Sequence, residues 1–146
     1  MTEDKNLIGV AGQYNVAFRL AARGYAVGIT PRGTTSIDLI VANPETGKSV
    51  TIQTKTGRKA KYGSEAESWW KWPVSVSRQP QKAFLFTFVD LKGDSSQTPD
   101  VFIVPSDKVS PPLLQEYRVG SWFVIEREED VQKYLDRWQF IDGALA

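Results

Sequence analysis

The chain has neither cysteine nor histidine among its 146 residues, and only one methionine. Without cysteine there is no disulfide and no thiolate nucleophile; without histidine there is no imidazole acid–base pair and no zinc centre of the Cys/His type. A metal site here must be built from carboxylates, amides, backbone carbonyls and water, a donor set that suits Mg²⁺, Mn²⁺ or Ca²⁺. Proton transfer must rely on Asp, Glu, Lys, Tyr or metal-bound water. An excess of one charge is missing too: 18 basic against 17 acidic residues leave a net charge of +1, so no global field draws in a polyanion. No apolar run approaches the roughly 18 residues of a membrane span. The opening "MTEDKNLIGV" is acidic first, unlike a secretory signal. A cytoplasmic protein without membrane association is expected.

What is present is an ordinary globular composition, 41% hydrophobic and 24% charged, with length for one domain and a real core. The charge is unevenly spread. Lys48, Lys55, Arg58, Lys59 and Lys61 stand between Glu45 and Glu65 with no acid among them, whereas "EREED" at 126–130 is an acidic knot. A local basic stripe can hold phosphates, although taken alone such a stripe is more often a solvated loop.

Apolar spacing over "GVAGQYNVAFRLAAR" (9–23) predicts a helix with Val10, Tyr14, Ala17 and Ala21 on its stripe, closed by Gly24 as a left-handed cap. "YAVGIT" (25–30) reads as a strand and "PRGTTS" (31–36) as a loop. Two strands joined by a turn follow in "SIDLIVANPETGKSVTIQTK". Segment 56–81 holds Gly57, Gly63, Pro73 and Pro80; it reads as an irregular basic and aromatic excursion, with room for one helical turn near 64–70. Strands are expected at 82–91, 101–105 and 121–126, a short helix after Pro111 and Pro112, and one C-terminal helix carrying Val131, Leu135 and Trp138. The order predicts an α/β domain around a mixed sheet.

The hairpin carries the chemistry. With Pro44–Gly47 as its turn, Ala42 falls opposite Ser49, Ile40 opposite Thr51 and Asp38 opposite Gln53. One face is then apolar, with Ile37, Leu39, Val41, Val50 and Ile52. The other gathers Asp38, Gln53 and Lys55 at the end far from the turn. That face is either the wet side of a half-buried hairpin or a site. As a site, the Asp38 carboxylate, the Gln53 amide and the Thr54 carbonyl offer oxygen ligands for one hard divalent cation. Such an ion polarises a phosphate and acidifies a bound water, and Lys55 can stabilise developing phosphoryl charge.

An aspartate in an apolar strand, followed a hairpin later by "QTK" (Gln53, Thr54, Lys55), resembles the core motif of the PD-(D/E)XK nuclease superfamily in the Gln-x-Lys form found in Mrr-like restriction endonucleases. "GQYNVAFRLAARGYAV" looks like the preceding helix of that family, where many members carry Gly-Glu; Gln13 takes the glutamate's place here. The resemblance implies a restriction endonuclease-like mixed central sheet flanked by helices, in a single domain 1–146. It implies catalytic roles for Asp38, Gln53, Lys55 and Gln13, with Mg²⁺ or Mn²⁺ held by Asp38, Gln53 and Thr54. DNA is the expected substrate, and a homodimer a further expectation. Arg58, Lys59 and Lys61 would contact phosphates, with Arg32 and Lys5 as additions. In "SWWKW" (68–72), two of the three tryptophans are expected to cover the core; aromatics there can also stack on unpaired bases. With Gln13 and Gln53 where carboxylates are usual, two further readings stand beside the nuclease: a nucleic-acid-binding module without catalysis, and a regulatory interaction subunit.

Overall fold

The computed structural model describes residues 4–31, 37–74, 84–118 and 120–146. Helix α1 spans Lys5–Ala22. It starts at Lys5 rather than Gly9 because the Asp4 carboxylate caps it, accepting the N–H of Asn6 at 2.9 Å and of Leu7 at 3.3 Å. Gly24, at φ +96°, turns the chain out of the helix as expected. Strands β1 (Ala26–Ile29), β2 (Leu39–Ala42) and β3 (Ser49–Gly57) form an antiparallel meander. The β2–β3 register is the expected one, with Ala42 opposite Ser49 and Ile40 opposite Thr51.

Strand β6 (Phe84–Asp90) runs parallel to β3, and β7 (Asp100–Pro105) antiparallel to β6, completing a five-stranded sheet in the order β1-β2-β3-β6-β7. β6 is covered on both faces, which is why its sequence is nearly all apolar instead of alternating. The crossover from β3 to β6 contains β4 (Lys61–Gly63) and β5 (Ser68–Pro73), which pair with β9 (Gly120–Ile125) and β8 (Leu114–Tyr117) in a second, antiparallel sheet. Among the described residues no helix is long and apolar enough to cross a membrane.

Four expectations are corrected. Segment 56–81 is not an irregular excursion with a helical turn: its described part continues β3 and forms the β4–β5 hairpin. Residues 75–81 lie outside the described residues, as do Lys82, Ala83 and the 32–36 part of the loop with Arg32. After Pro111 and Pro112 the chain forms β8, because Gln115 and Glu116 find ladder partners in β9 that local propensity cannot announce. The C-terminal helix is two, α2 (Glu128–Tyr134) and α3 (Gln139–Leu145). The break falls at Asp136, φ +53°, whose N–H bonds to the Val101 carbonyl at 2.8 Å rather than within a helix. Finally, α1 is rotated from its expected stripe: Gln13, Val16, Ala17 and Leu20 are buried, while Tyr14 and Phe18 face outward. The helix is apolar on more than one side, so spacing alone does not orient it.

Two cores result. Between α1, α3 and the sheet lies an aliphatic layer that includes Val16, Leu20, Leu39, Val41, Ile52 and Leu85. Between the two sheets lies an aromatic one with Trp70, Trp72, Phe86, Phe88, Phe102 and Phe123. The expected class, a mixed central sheet flanked by helices, stands, with the second sheet added.

Candidate active site

Helix α1 crosses β3 at Gly12, where a Cβ would lie 1.8 Å from Thr56 Oγ1; only glycine permits this approach. The next residue, Gln13, is thereby brought over the start of β2. It is 2% exposed, and its Nε2 donates to the Asp38 carbonyl at 2.8 Å and the Thr30 carbonyl at 3.2 Å. The Thr30 N–H donates to the same Asp38 carbonyl at 3.1 Å, and the Thr30 hydroxyl to the Ile37 carbonyl. The end of β1 and the start of β2 are therefore tied together around one buried amide.

Asp38 precedes β2, and its N–H continues the ladder to the Ile52 carbonyl at 2.9 Å. Its carboxylate Oδ2 accepts the Thr54 N–H at 2.7 Å. A charge-assisted bond of this kind is stronger than its neutral counterpart and fixes the carboxylate beside the peptide joining Gln53 to Thr54. On β3, Thr54 faces α1 and its hydroxyl pairs with that of Thr87 at 2.9 Å. Gln53 and Lys55 point to the opposite face, alongside Phe86 and Phe88 of β6. Gln53 is buried, at 5% exposure, and Lys55 is half-buried. Asp38 is thus joined to β3 at the Thr54 amide, between Gln53 and Lys55 in the strand, and Gln13 holds its carbonyl.

Arg58 and Lys59 leave the end of β3 and Lys61 opens β4, all three exposed; Lys5 begins α1. The basic segment is anchored by a residue outside the expected site. Asp90, 2% exposed, uses Oδ1 to accept the N–H of Ala60 at 3.0 Å and of Lys92 at 2.9 Å. The Gly93 N–H completes the clamp on the Arg58 carbonyl at 2.7 Å. The available signal was an acid ending the apolar run "FLFTFVD".

Trp70 and Trp72 are buried as expected of two of the three tryptophans, and Trp72 Nε1 donates to the Val89 carbonyl at 2.9 Å. Trp69 is half-exposed and stacks with Tyr62, ring centroids 6.4 Å apart. Lys71 Nζ lies 5.0 Å from the Tyr62 centroid and 4.8 Å from that of Trp122. Tyr62 and Trp122 were not foreseen; strand pairing brings them beside Trp69 and Lys71 on the outer face of the second sheet.

Among the described residues no three carboxylates converge.

No family model and no curated protein sequence matches the chain. Among solved structures it is similar to a bacterial homing endonuclease, I-Ssp6803I, with a TM-score of 0.67 at 16% sequence identity, over 99% of this chain and 95% of that one. The likeness is one of fold, and it spans nearly the whole of both chains.

Proposed function

We propose that the protein is a metal-dependent DNA endonuclease of the PD-(D/E)XK superfamily in its Gln-x-Lys form. The observation that carries this reading is the Asp38 carboxylate bonded to the Thr54 N–H at 2.7 Å, beside Gln53 and Lys55. It is supported by the fold shared with a homing endonuclease. Mg²⁺ or Mn²⁺ would be held by the Asp38 carboxylate, the Gln53 amide oxygen and the Thr54 carbonyl. An all-oxygen set with one anion fits a hard divalent cation whose remaining positions are left to water and the phosphodiester. When bound, such an ion polarises the phosphodiester and acidifies a coordinated water.

The chain's own groups do the rest. The Thr54 amide orients Asp38, and Gln13 acts as a positioning residue rather than a ligand, because its amide nitrogen is already turned to the Asp38 and Thr30 carbonyls. Lys55, half-buried, stabilises the charge that builds on the phosphoryl oxygens, an effect strengthened where water is partly excluded. Arg58, Lys59 and Lys61 contact the phosphate backbone without reading sequence, giving a salt-dependent affinity. Trp69 and Tyr62 add surface on which bases can stack.

A second reading, a DNA-binding module without catalysis, is favoured by the amide at Gln53. It supplies a dipole where a carboxylate would supply charge, and so binds a cation less strongly. Supercoiled and linear DNA incubated with Mg²⁺ or Mn²⁺ separates the readings. Wild type is expected to cleave, with a loss of about 100-fold or more in Asp38→Asn and in Lys55→Ala. Asp38→Asn keeps an oxygen for the Thr54 N–H, so the loss reports charge rather than folding. Binding without cleavage at every metal concentration would establish the second reading, and neither binding nor cleavage would overturn both.

A further inference from the structure

The outer face of α1 is built like a buried one. Leu7, Ala11, Tyr14, Phe18 and Ala21 follow one another at alternating steps of four and three residues, and all are exposed. Leu7 is 66%, Tyr14 57% and Phe18 71% open to solvent. From Asn6 to Phe18 the helix contains no charged residue. A solvent-facing helical face ordinarily carries charge, and an a/d repeat of this kind is the seam of a helix pair. The opposite face of the same helix is already spent on the aliphatic core, through Val16, Ala17 and Leu20.

We propose that this face pairs with the same face of a second copy of the chain, the two α1 helices antiparallel about a two-fold axis. The occupant is a second copy because the stripe is complementary to itself. In an antiparallel pair the a and d positions form layers that place Ala11 opposite the second copy's Tyr14, and Leu7 opposite the second copy's Phe18, each layer occurring twice. The two central layers set a small side chain against a large one, which lets the helices approach closely. Asp4 is engaged in capping the helix, and Arg19 and Arg23 in bonds to Asp136 and Asp142 of their own chain. The orientation follows from the dipoles, which antiparallel packing opposes and parallel packing would set like beside like.

Covering Leu7, Tyr14, Phe18 and the alanines between them on both copies removes on the order of 1,000 Å² from water, the lower bound for a specific interface. A reversible dimer with a dissociation constant on the order of 10 µM is expected. The pairing does not depend on nuclease activity, and its test needs no DNA.

Sedimentation equilibrium of the full chain between about 1 and 200 µM should show a monomer–dimer equilibrium spanning the expected constant. Phe18→Glu, and separately Leu7→Glu at the far end of the stripe, should weaken it by about 30-fold or more. Circular dichroism, and the thermal midpoint at about 1 µM where the monomer dominates, should stay at wild-type values, since both side chains are exposed. The chain has no cysteine, so mild oxidation reads the register directly. A mixture of Ala11→Cys and Tyr14→Cys chains should yield the crosslinked heterodimer, while Ala11→Cys alone should not crosslink. A wild type that stays monomeric at the highest concentration, or a dimer indifferent to both glutamate substitutions, overturns the pairing and leaves the face to a different partner. Self-crosslinking of Ala11→Cys overturns the antiparallel arrangement.

Discussion

On the helix side of the five-stranded sheet the core is mostly branched aliphatic side chains, with Trp138 at its edge, whereas on the side facing the second sheet rings dominate. The aliphatic layer draws on α1, β2 and β3 and then on β6, β7 and α3, each contributing every second or every third to fourth residue. The aromatic layer joins strands far apart in the chain: Phe88 of β6 stacks on Phe123 of β9 at 4.0 Å, and Trp72 of β5 reaches Phe88 at 5.2 Å and Phe102 of β7 at 5.5 Å. A layer of many small contributions tolerates the loss of one. A layer in which each ring touches several others does not, because a ring buries about 150–250 Å². The candidate site lies on the border, with Gln13 on the aliphatic side and Gln53 and Lys55 turned toward the aromatic one.

The largest expected effect tests that contrast directly. Trp72→Ala removes a ring that is 1% exposed together with its bond to the Val89 carbonyl, and should cost about 3–5 kcal/mol. Ile52→Ala, the matched truncation on the aliphatic side of β3, should cost about 2–3 kcal/mol. Urea unfolding monitored by tryptophan fluorescence measures both. Equal losses would mean that the two layers share load evenly and that the contrast is one of composition alone.

Next in size is Gln13, which belongs to the aliphatic side and yet serves the site. Gln13→Glu would turn a buried donor into an acceptor facing the Asp38 and Thr30 carbonyls. At pH 7 the substitution should cost about 3 kcal/mol, since a desolvated carboxylate has no donor there. The introduced glutamate would have a folded-state pKa raised above its unfolded value, so part of the stability should return as pH falls. Gln13→Leu should cost about 1–3 kcal/mol with no such recovery. Chemical denaturation at several pH values separates them. A Gln13→Glu variant as stable as wild type at pH 7 would mean that the amide is not needed to hold Asp38.

The same contrast explains what is legible in the sequence alone. The β2–β3 register was legible because the turn chemistry at Asn43–Lys48 and a strict alternation agree, and one residue of slip would expose Leu39, Val41, Val50 and Ile52 together. The position of Asp38 beside β3, bonded to the Thr54 N–H, agrees with that register. The orientation of α1 was not legible, because Tyr14 and Phe18 are as apolar as Val16 and Leu20 and nothing local says which pair meets the sheet. Strands β5 and β8 were hidden for a different reason: glycines and prolines flank them, and their partner β9 is distant in sequence. Asp90 is not legible because its role is to satisfy backbone amides of a turn that appears only once β3 and β6 are paired.

The smallest expected effect sits at the rim of the aliphatic layer, where Asp142 on α3 accepts hydrogen bonds from Arg23 after α1 and from Tyr25 before β1. Burial works against the Asp142 carboxylate, yet the bonds from Arg23 and Tyr25 outweigh it and hold its pKa below the usual value. For Tyr25, burial first and then the bond to Asp142 push the phenol pKa up. The signs differ. The Asp142 contribution is present above the unfolded carboxylate value of about 3.9 and is lost as pH falls through the lower folded one; the Tyr25 contribution is present below about 10 and is lost as pH rises through the higher folded one. The cluster is partly solvated, the Arg23 and Asp142 side chains each being 38% exposed, so its contribution should stay below about 1 kcal/mol. Subtracting the stability–pH curve of Asp142→Asn from that of wild type isolates it. A difference flat from neutrality to about pH 9 and shrinking on both flanks is expected, and Tyr25→Phe should remove the alkaline flank while leaving the acid one. A difference with no pH dependence on either flank would show that the charge on Asp142 contributes nothing, leaving α3 to the packing of Ile141 and Leu145 and to the bonds from Asn43 and Thr46 to the Leu145 carbonyl.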